Sequence, residues 1–298
     1  MAIKTPFAAP AAVALLGLGN MGVPIGARLV KAGYSVTGYD RSERARQNFN
    51  AAGGRTAMDL ASATATADVV LLLLPDGEIV RNVVSETLAY LRHDAGTVIV
   101  DMSSSDPVGT RKLGTGLAAA GFEFVDAPVS GGVKRAVNGT LAIMAGGAAA
   151  TIDRLQPLFE AVGTAIFRTG ALGSRHAMKA LNNYVSAAGL IATVEALQIG
   201  RNFGLDPSLM TDILNASTGR NNTTEVKLRQ FILSKSFDSG FPLRLMAKDV
   251  RTANGMAHAL ELATPFVELC ARIWEAAARE LGEGADHTEV IRYLERLA

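Results

Sequence analysis

Cysteine is almost missing from this 298-residue sequence, with Cys270 as its single instance. One cysteine excludes an intrachain disulfide framework and a multi-cysteine zinc site, so no metal is expected. The apolar surroundings of Cys270 mark it as a packing residue rather than a nucleophile. A surplus of charge is missing too. The 29 basic and 28 acidic side chains leave a formal net charge of +1, and nothing electrostatic points to nucleic acid or an anionic membrane as partner. No uninterrupted apolar stretch approaches the ~20 residues that span a bilayer. The apolar run from Phe7 to Leu18 follows a lone Lys4 and leads straight into a glycine motif. A buried first strand explains it better than a signal peptide with no cleavage site. The expectation is a cytoplasmic protein acting on a small molecule.

What the chain has is apolar residues, 49% of the total, enough at this length for one large domain or two unequal ones. Short runs rich in Val, Ile and Leu stand at Ala12–Leu16, Ser35–Tyr39, Val69–Leu73, Thr97–Asp101, Glu123–Asp126 and Leu141–Ala145. Stretches with helical spacing, such as Met21–Ala32 and Arg44–Ala52, lie between them. Near-continuous apolar strands alternating with helices predict a parallel sheet covered on both faces. From Arg175 onward no strand pattern remains. Arg175–Phe203 reads as one long helix, ended by Gly204 and followed by helices at Pro207–Ala216, Thr223–Ser234, Leu243–Leu262, Pro265–Glu280 and Thr288–Leu297. The predicted fold is α/β: an N-terminal doubly wound Rossmann domain (1–172), then an all-helical C-terminal domain (173–298) for substrate binding and oligomerisation, joined by the long helix.

The first strand runs into Gly17-Leu18-Gly19-Asn20-Met21-Gly22 and then a helix. The first glycine permits a tight turn, the second admits a pyrophosphate to the backbone, and the third lets helix and strand pack closely. A GxGxxG between strand and helix has the context that a lone match lacks. Asp40, 18 residues beyond Gly22 at the end of the second strand, can accept hydrogen bonds from ribose hydroxyls and would repel a 2′-phosphate. Arg41 beside it could instead pair with such a phosphate. NAD is therefore expected, with NADP possible. Leu74-Pro75 and Ser103-Ser104-Ser105-Asp106-Pro107 follow two further strands, where ligands of open α/β sheets sit. The serine run also suits helix capping ahead of Pro107.

These motifs together resemble the β-hydroxyacid dehydrogenase family, which includes 3-hydroxyisobutyrate dehydrogenase and tartronate semialdehyde reductase. Beside the glycine motif and Pro24, the segments Asp101-Met102-Ser103-Ser104, Asp126-Ala127-Pro128-Val129-Ser130-Gly131-Gly132, Gly139-Thr140, Met144-Ala145-Gly146-Gly147, Lys179-Ala180-Leu181-Asn182-Asn183 and Lys248-Asp249 match in order. The resemblance covers essentially the whole chain. It implies that Lys179 is the catalytic lysine, that Asn183 contacts substrate, and that Ser130, Gly131 and Gly132 bind the substrate carboxylate. It places Leu74, Pro75, Ile79, Ser104 and Lys248 against the cofactor, with Asp249 orienting Lys248.

The chemistry agrees with that implication. Lys179 and Asn183 are four apart on a predicted helix and share one face. A hydride leaves an alcohol carbon only if the hydroxyl proton leaves as well, and lysine can take or return it. A free lysine titrates near ~10.4 and needs lowering toward ~7–8 to act as base. Read alone, Lys179 would be an ordinary snorkelling helix lysine; its neighbours make the difference. Successive N–H groups at Ser130-Gly131-Gly132 can form a concave anion site, although an ordinary hairpin-like turn has the same composition. His176 stays outside the expected mechanism.

The departure from the family lies at Asn222 and Lys227, where several relatives carry aromatic residues. A polar and a cationic side chain there predict a more polar or doubly anionic hydroxy acid, against the plainer reading of a solvent-facing Lys227. The expected reaction is NAD(P)-linked interconversion of a short β-hydroxy acid and its semialdehyde, by a homodimer or homotetramer. Two rivals remain: an imine reductase-like enzyme of related fold, and a non-catalytic dinucleotide-binding regulator. The Lys179–Asn183 pair weighs against both.

Overall fold

The computed structural model describes residues 5–91 and 96–297; Lys4 lies outside them. Two compact units divide the chain, Met1–His176 and Ala177–Ala298. The boundary falls within the first turn of the long helix.

The first unit is built on a nine-stranded sheet: β1 (Ala12–Leu16), β2 (Ser35–Tyr39), β3 (Arg55–Thr56), β4 (Val69–Leu72), β5 (Val98–Asp101), β6 (Glu123–Asp126), β7 (Val129–Ser130), β8 (Leu141–Gly146) and β9 (Gly163–Gly170). The spatial order is β3-β2-β1-β4-β5-β6-β8-β7, with β9 paired to β8. From β3 to β6 every pairing is parallel. Its helices are α1 (Gly22–Lys31), α2 (Glu43–Ala51), α3 (Leu60–Thr64), α4 (Gly77–Thr87), α5 (Pro107–Ala119), α6 (Gly132–Asn138) and α7 (Ala149–Val162). The order of strand addition reverses at β1, which lies between β2 and β4, so the crevice at the carboxyl ends of β1 and β4 is the topological switch point of a doubly wound fold. Alternate residues of one strand feed two separate cores. Val13, Leu15, Val69 and Leu71 join the cluster on one face, while Ala14, Leu16, Val70 and Leu72 join the cluster on the other. This two-sided burial is why these strands are apolar at every position.

The sheet is not wholly parallel, which corrects the expectation from sequence. β8 runs antiparallel to both β6 and β7. The seven-residue α6 between β7 and β8 turns the chain back instead of carrying it across the sheet. The two-residue strands β3 and β7, and the edge strand β9, were not expected either.

The second unit is helical: α8 (Ser174–Phe203, beginning in the first unit), α9 (Pro207–Ala216), a π-helix (Thr223–Leu233), α10 (Leu243–Ala259), α11 (Pro265–Leu281), a 3₁₀ turn (His287–Glu289) and α12 (Val290–Leu297). Gly204 takes φ 99° just past α8, and Asp206 caps α9 by accepting the Leu209 N–H at 2.8 Å ahead of Pro207. Its core gathers Leu190, Val194, Leu228, Val250, Cys270 and Trp274. Cys270 is buried there and its thiol is pushed up to about 11 by desolvation, so it packs as a neutral hydrophobe. Thr223–Ser234, expected as an α-helix, is wound as the wider π form through Leu233. Among the described residues no helix is long and apolar enough to cross a membrane.

Candidate functional site

In the first unit the three motif glycines have three different reasons to be glycine. Gly17 sits at φ 103°, and a Cβ there would lie 2.3 Å from the Leu73 carbonyl oxygen. A Cβ on Gly22 would lie 2.0 Å from the Gly17 carbonyl oxygen, which is the close approach of α1 to the turn. Gly19 has nothing within 4 Å of its Cβ position. Its backbone therefore faces open space at the N-terminus of α1, the cradle a pyrophosphate needs. Asn20 is exposed there, and Met21 is the N-cap residue with no side-chain cap of its own.

Asp40 closes this turn from β2. One carboxylate oxygen accepts the Leu18 N–H and the other the Ser42 N–H, both at 2.8 Å. Each oxygen keeps acceptor capacity for a diol. Arg41 is exposed. Beyond β4, the Leu74 N–H donates to Ser103 Oγ at 2.9 Å, so the loops after β4 and β5 are tied together. Pro75 is exposed at the loop tip. Ile79 is also exposed, on the first turn of α4, and its N–H donates to the capping Asp76. The serine run does not cap α5; Asp106 does, accepting from Gly109 N. Burial pushes the Asp106 carboxyl up, but that N–H and Arg81 outweigh it and hold the group below its usual range. Ser104 is half-buried between the two buried serines, Ser103 and Ser105.

Ser130, Gly131 and Gly132 are exposed at the junction of β7 and α6. Gly131 at φ 130° is the N-cap position and Gly132 follows at φ 66°. The segment is thus a strand-to-helix junction and not a hairpin turn. Gly132 has open space at its Cβ position, whereas the Arg135 side chain packs against Gly131.

In the second unit, Lys179, Asn183 and Ser186 stand at i, i+4 and i+7 on α8, one face of the helix. Asn183 Nδ2 donates to Asp249 Oδ2 at 2.5 Å, and its Oδ1 accepts from Asn182 Nδ2 at 3.2 Å. Asp249 is buried on α10 next to half-buried Lys248. Asn222 is exposed, while its neighbour Asn221 does the local capping by accepting the N–H of Thr223 and of Thr224. Lys227 does not face solvent. It is 8% exposed, and its Nζ donates to Ser186 Oγ at 2.9 Å. Burial lowers its ammonium to about 8, with Asp286 opposing.

Sequence reasoning missed Ser186, whose only signal was its i+7 spacing from Lys179. It also passed over His176, which is fully buried and contacts Ser103 and Thr110.

Known proteins resemble the chain over its whole length. Residues 12–170 match the family model described as the NAD-binding domain of 6-phosphogluconate dehydrogenase. Residues 173–294 match the model described as the NAD-binding region of NADP-dependent 3-hydroxyisobutyrate dehydrogenase. A 2-(hydroxymethyl)glutarate dehydrogenase from Eubacterium barkeri is 34% identical, over 96% of this chain and 95% of that protein. An NAD-dependent L-serine dehydrogenase from Pseudomonas aeruginosa is 34% identical over 90% and 92%. A solved structure of 3-hydroxyisobutyrate dehydrogenase from Mycobacterium tuberculosis, described with L-serine, has a TM-score of 0.86 and 33% identity, covering 95% of this chain and 99% of that one.

Proposed function

The chain belongs to the β-hydroxyacid dehydrogenase family, NAD(P)-dependent oxidoreductases acting on CH–OH donors, and from that premise we propose that it interconverts a short β-hydroxy acid carrying a polar or anionic tail with the corresponding semialdehyde. The observation that carries this reading is the stripe Lys179–Asn183–Ser186 on α8, with Asn183 fixed by Asp249 and Lys227 bonded to Ser186.

The nicotinamide, when bound, would supply or accept the hydride; Gly17 to Gly22, Asp40, Leu74, Pro75, Ile79, Ser104 and Lys248 are the residues that would hold the dinucleotide. Lys179 is the general acid/base. In oxidation its neutral amine takes the hydroxyl proton, and in reduction its ammonium returns that proton to the carbonyl oxygen. Asn183 has one Nδ2 hydrogen committed to Asp249 and its Oδ1 committed to Asn182. The second Nδ2 hydrogen is left to bond the substrate oxygen on the same helix face. Ser130, Gly131 and Gly132 bind the carboxylate through backbone N–H groups. Lys227 receives the distal group. It reaches the α8 stripe three residues beyond Asn183, about 4.5 Å along the axis. The relative that acts on 2-(hydroxymethyl)glutarate has a substrate with a second carboxylate, in line with a cation at this position.

The test is NAD⁺ and NADP⁺ reduction over 3-hydroxyisobutyrate, glycerate, L-serine, threonate, 4-hydroxybutyrate and 2-(hydroxymethyl)glutarate, with wild type beside Lys179→Ala and Lys227→Ala. Lys179→Ala is expected to lose at least about 10²-fold in kcat with cofactor binding retained. Survival of activity in that variant would overturn its assignment. Lys227→Ala should lose activity on the dicarboxylate alone; equal losses on both substrate types would remove the distal-anion reading.

A further inference from the structure

Both ends of the His176 ring are engaged inside the first unit. Nε2 lies 3.1 Å from the Ser103 carbonyl oxygen, and Nδ1 lies 3.1 Å from Thr110 Oγ1. The ring is 2% exposed. A carbonyl oxygen can only accept, so Nε2 carries the hydrogen of that bond.

Ser103 is the hub of the turn after β5. Its N–H donates to Asp101 Oδ1 at 2.8 Å, its Oγ accepts the Leu74 N–H, and its carbonyl accepts from His176. Ser105 Oγ donates to the other Asp101 oxygen at 2.6 Å. Asp101 and Asp126 are register partners on neighbouring strands. Asp126 Oδ1 accepts the Gly173 N–H at 2.8 Å, just ahead of α8. Its Oδ2 is buried with no hydrogen-bond partner and lies 3.8 Å from His176 Nδ1.

We infer that His176 is a positioning residue of the cofactor site: through Nε2–H it holds the Ser103 carbonyl, and Ser103 in turn fixes the two loops that carry Leu74, Pro75 and Ser104. The inference rests on the reading above that these loops face the dinucleotide. His176 touches no ligand in this account. It sets the geometry of backbone that does.

Cofactor binding without turnover tests it, by NADH fluorescence titration of the full-length protein. His176→Leu deletes the donor and is expected to weaken NADH about tenfold, with kcat at saturating cofactor and substrate changed less than about twofold. His176→Gln restores an N–H donor at a similar reach and should recover most of the loss. Hydrogen exchange of the 103–105 backbone should quicken in the leucine variant and not in the glutamine variant. A long-range ¹H–¹⁵N correlation should show hydrogen on Nε2 in wild type; a ring without it would overturn the Ser103 contact. A lowered melting temperature in His176→Leu with unchanged NADH affinity would overturn the positioning role and leave a purely structural histidine. If His176→Leu does not fold, Ser103→Ala tests the same hub: unaltered NADH affinity there counts against it. Ser104→Ala separates the two layers. If it weakens NADH while the His176 variants do not, the loop assignment stands and the inference fails; if none of them does, the loop assignment itself is wrong.

Discussion

Just beyond β2 the Asp40 carboxylate spends one acceptor site of each oxygen on the glycine turn and on its own loop, and each oxygen keeps acceptor capacity for a ribose diol. A 2′-phosphate would bring a dianion against that carboxylate. Asp40→Ser should therefore raise the KM for NAD⁺ and shift the NAD⁺/NADP⁺ ratio of kcat/KM toward NADP⁺ by about tenfold or more, equivalent to ~1.4 kcal/mol. Exposed Arg41 is then the cation at hand for the phosphate. An unchanged ratio would show that the preference is set elsewhere. Lys227 gives a second residue-scale expectation. Its ammonium is depressed to about 8 by burial, whereas the unfolded chain holds that proton to ~10.4. Affinity for a doubly anionic substrate should fall as pH rises through 8, with no such step for serine. The unfolded state binds more protons between about 8 and ~10.4, so stability should rise with pH across that window. Lys227→Met should flatten the rise in denaturant titrations. Lys227 itself was legible as a departure from the aromatic residues of several relatives. That it is buried and held by Ser186 was not, because the partner lies 41 positions away in the chain.

Elements carry their own chemistry where they meet. The π-helix with Lys227 and the 3₁₀ turn with His287 act on one another electrostatically inside the second unit. His287 is lowered to about 4, first by burial and then by the Lys227 charge. Its folded value lies below the unfolded ~6.5, so stability should be lost as pH falls from 6.5 through 4, by on the order of 3 kcal/mol in all. His287→Gln should blunt that acid loss. Lys227→Met should raise the His287 titration midpoint, which histidine NMR reads directly; an unmoved midpoint would mean the two groups do not couple. Such pairings explain what could and could not be read in advance. β1, β2, β4, β5, β6 and β8 were legible to within a residue: β1 and β4 are apolar throughout and almost wholly buried, β5 and β6 carry buried apolar runs closed by an aspartate, and β2 buries alternate residues, Val36 and Gly38. β9 was not: it is an edge strand with Phe167 and Arg168 exposed, and only its first residue is buried. Two-residue strands such as β3 and β7 have no period to detect. The α and π forms of Thr223–Leu233 present the same apolar content, and only the traced backbone separates them. The glycine motif was legible because Gly17 and Gly22 answer local steric demands, with Gly19 open between them. The His176 hub was invisible because it joins residues from three separate segments.

At the scale of the whole molecule, the second unit leaves large apolar side chains in water in a pattern that is not random. Ile199 and Phe203 stand four apart on the last turns of α8 at 72% and 83% exposure, and Leu209 and Ile213 stand four apart on the next helix, α9. Scattered apolar residues need no explanation, but two aligned pairs on consecutive helices form a patch of the kind that marks an interface. Helices joined by the short Gly204–Asp206 connection keep that patch contiguous in sequence, and a two-fold axis can bury one patch against its own copy with no other partner. The expectation is a homo-oligomer in solution, dimer or tetramer, that uses these four residues. Light scattering coupled to gel filtration at micromolar concentration checks it. The double variant Phe203→Lys, Ile213→Lys places like charges across any two-fold contact and should shift the protein to the mass of one chain, while circular dichroism keeps its helical signal. Those side chains are exposed in the single chain, so the substitutions cost its core little. Wild type running as a monomer, or an oligomer indifferent to the two lysines, would place the apolar pairs outside any self-association and return them to the solvent they face here.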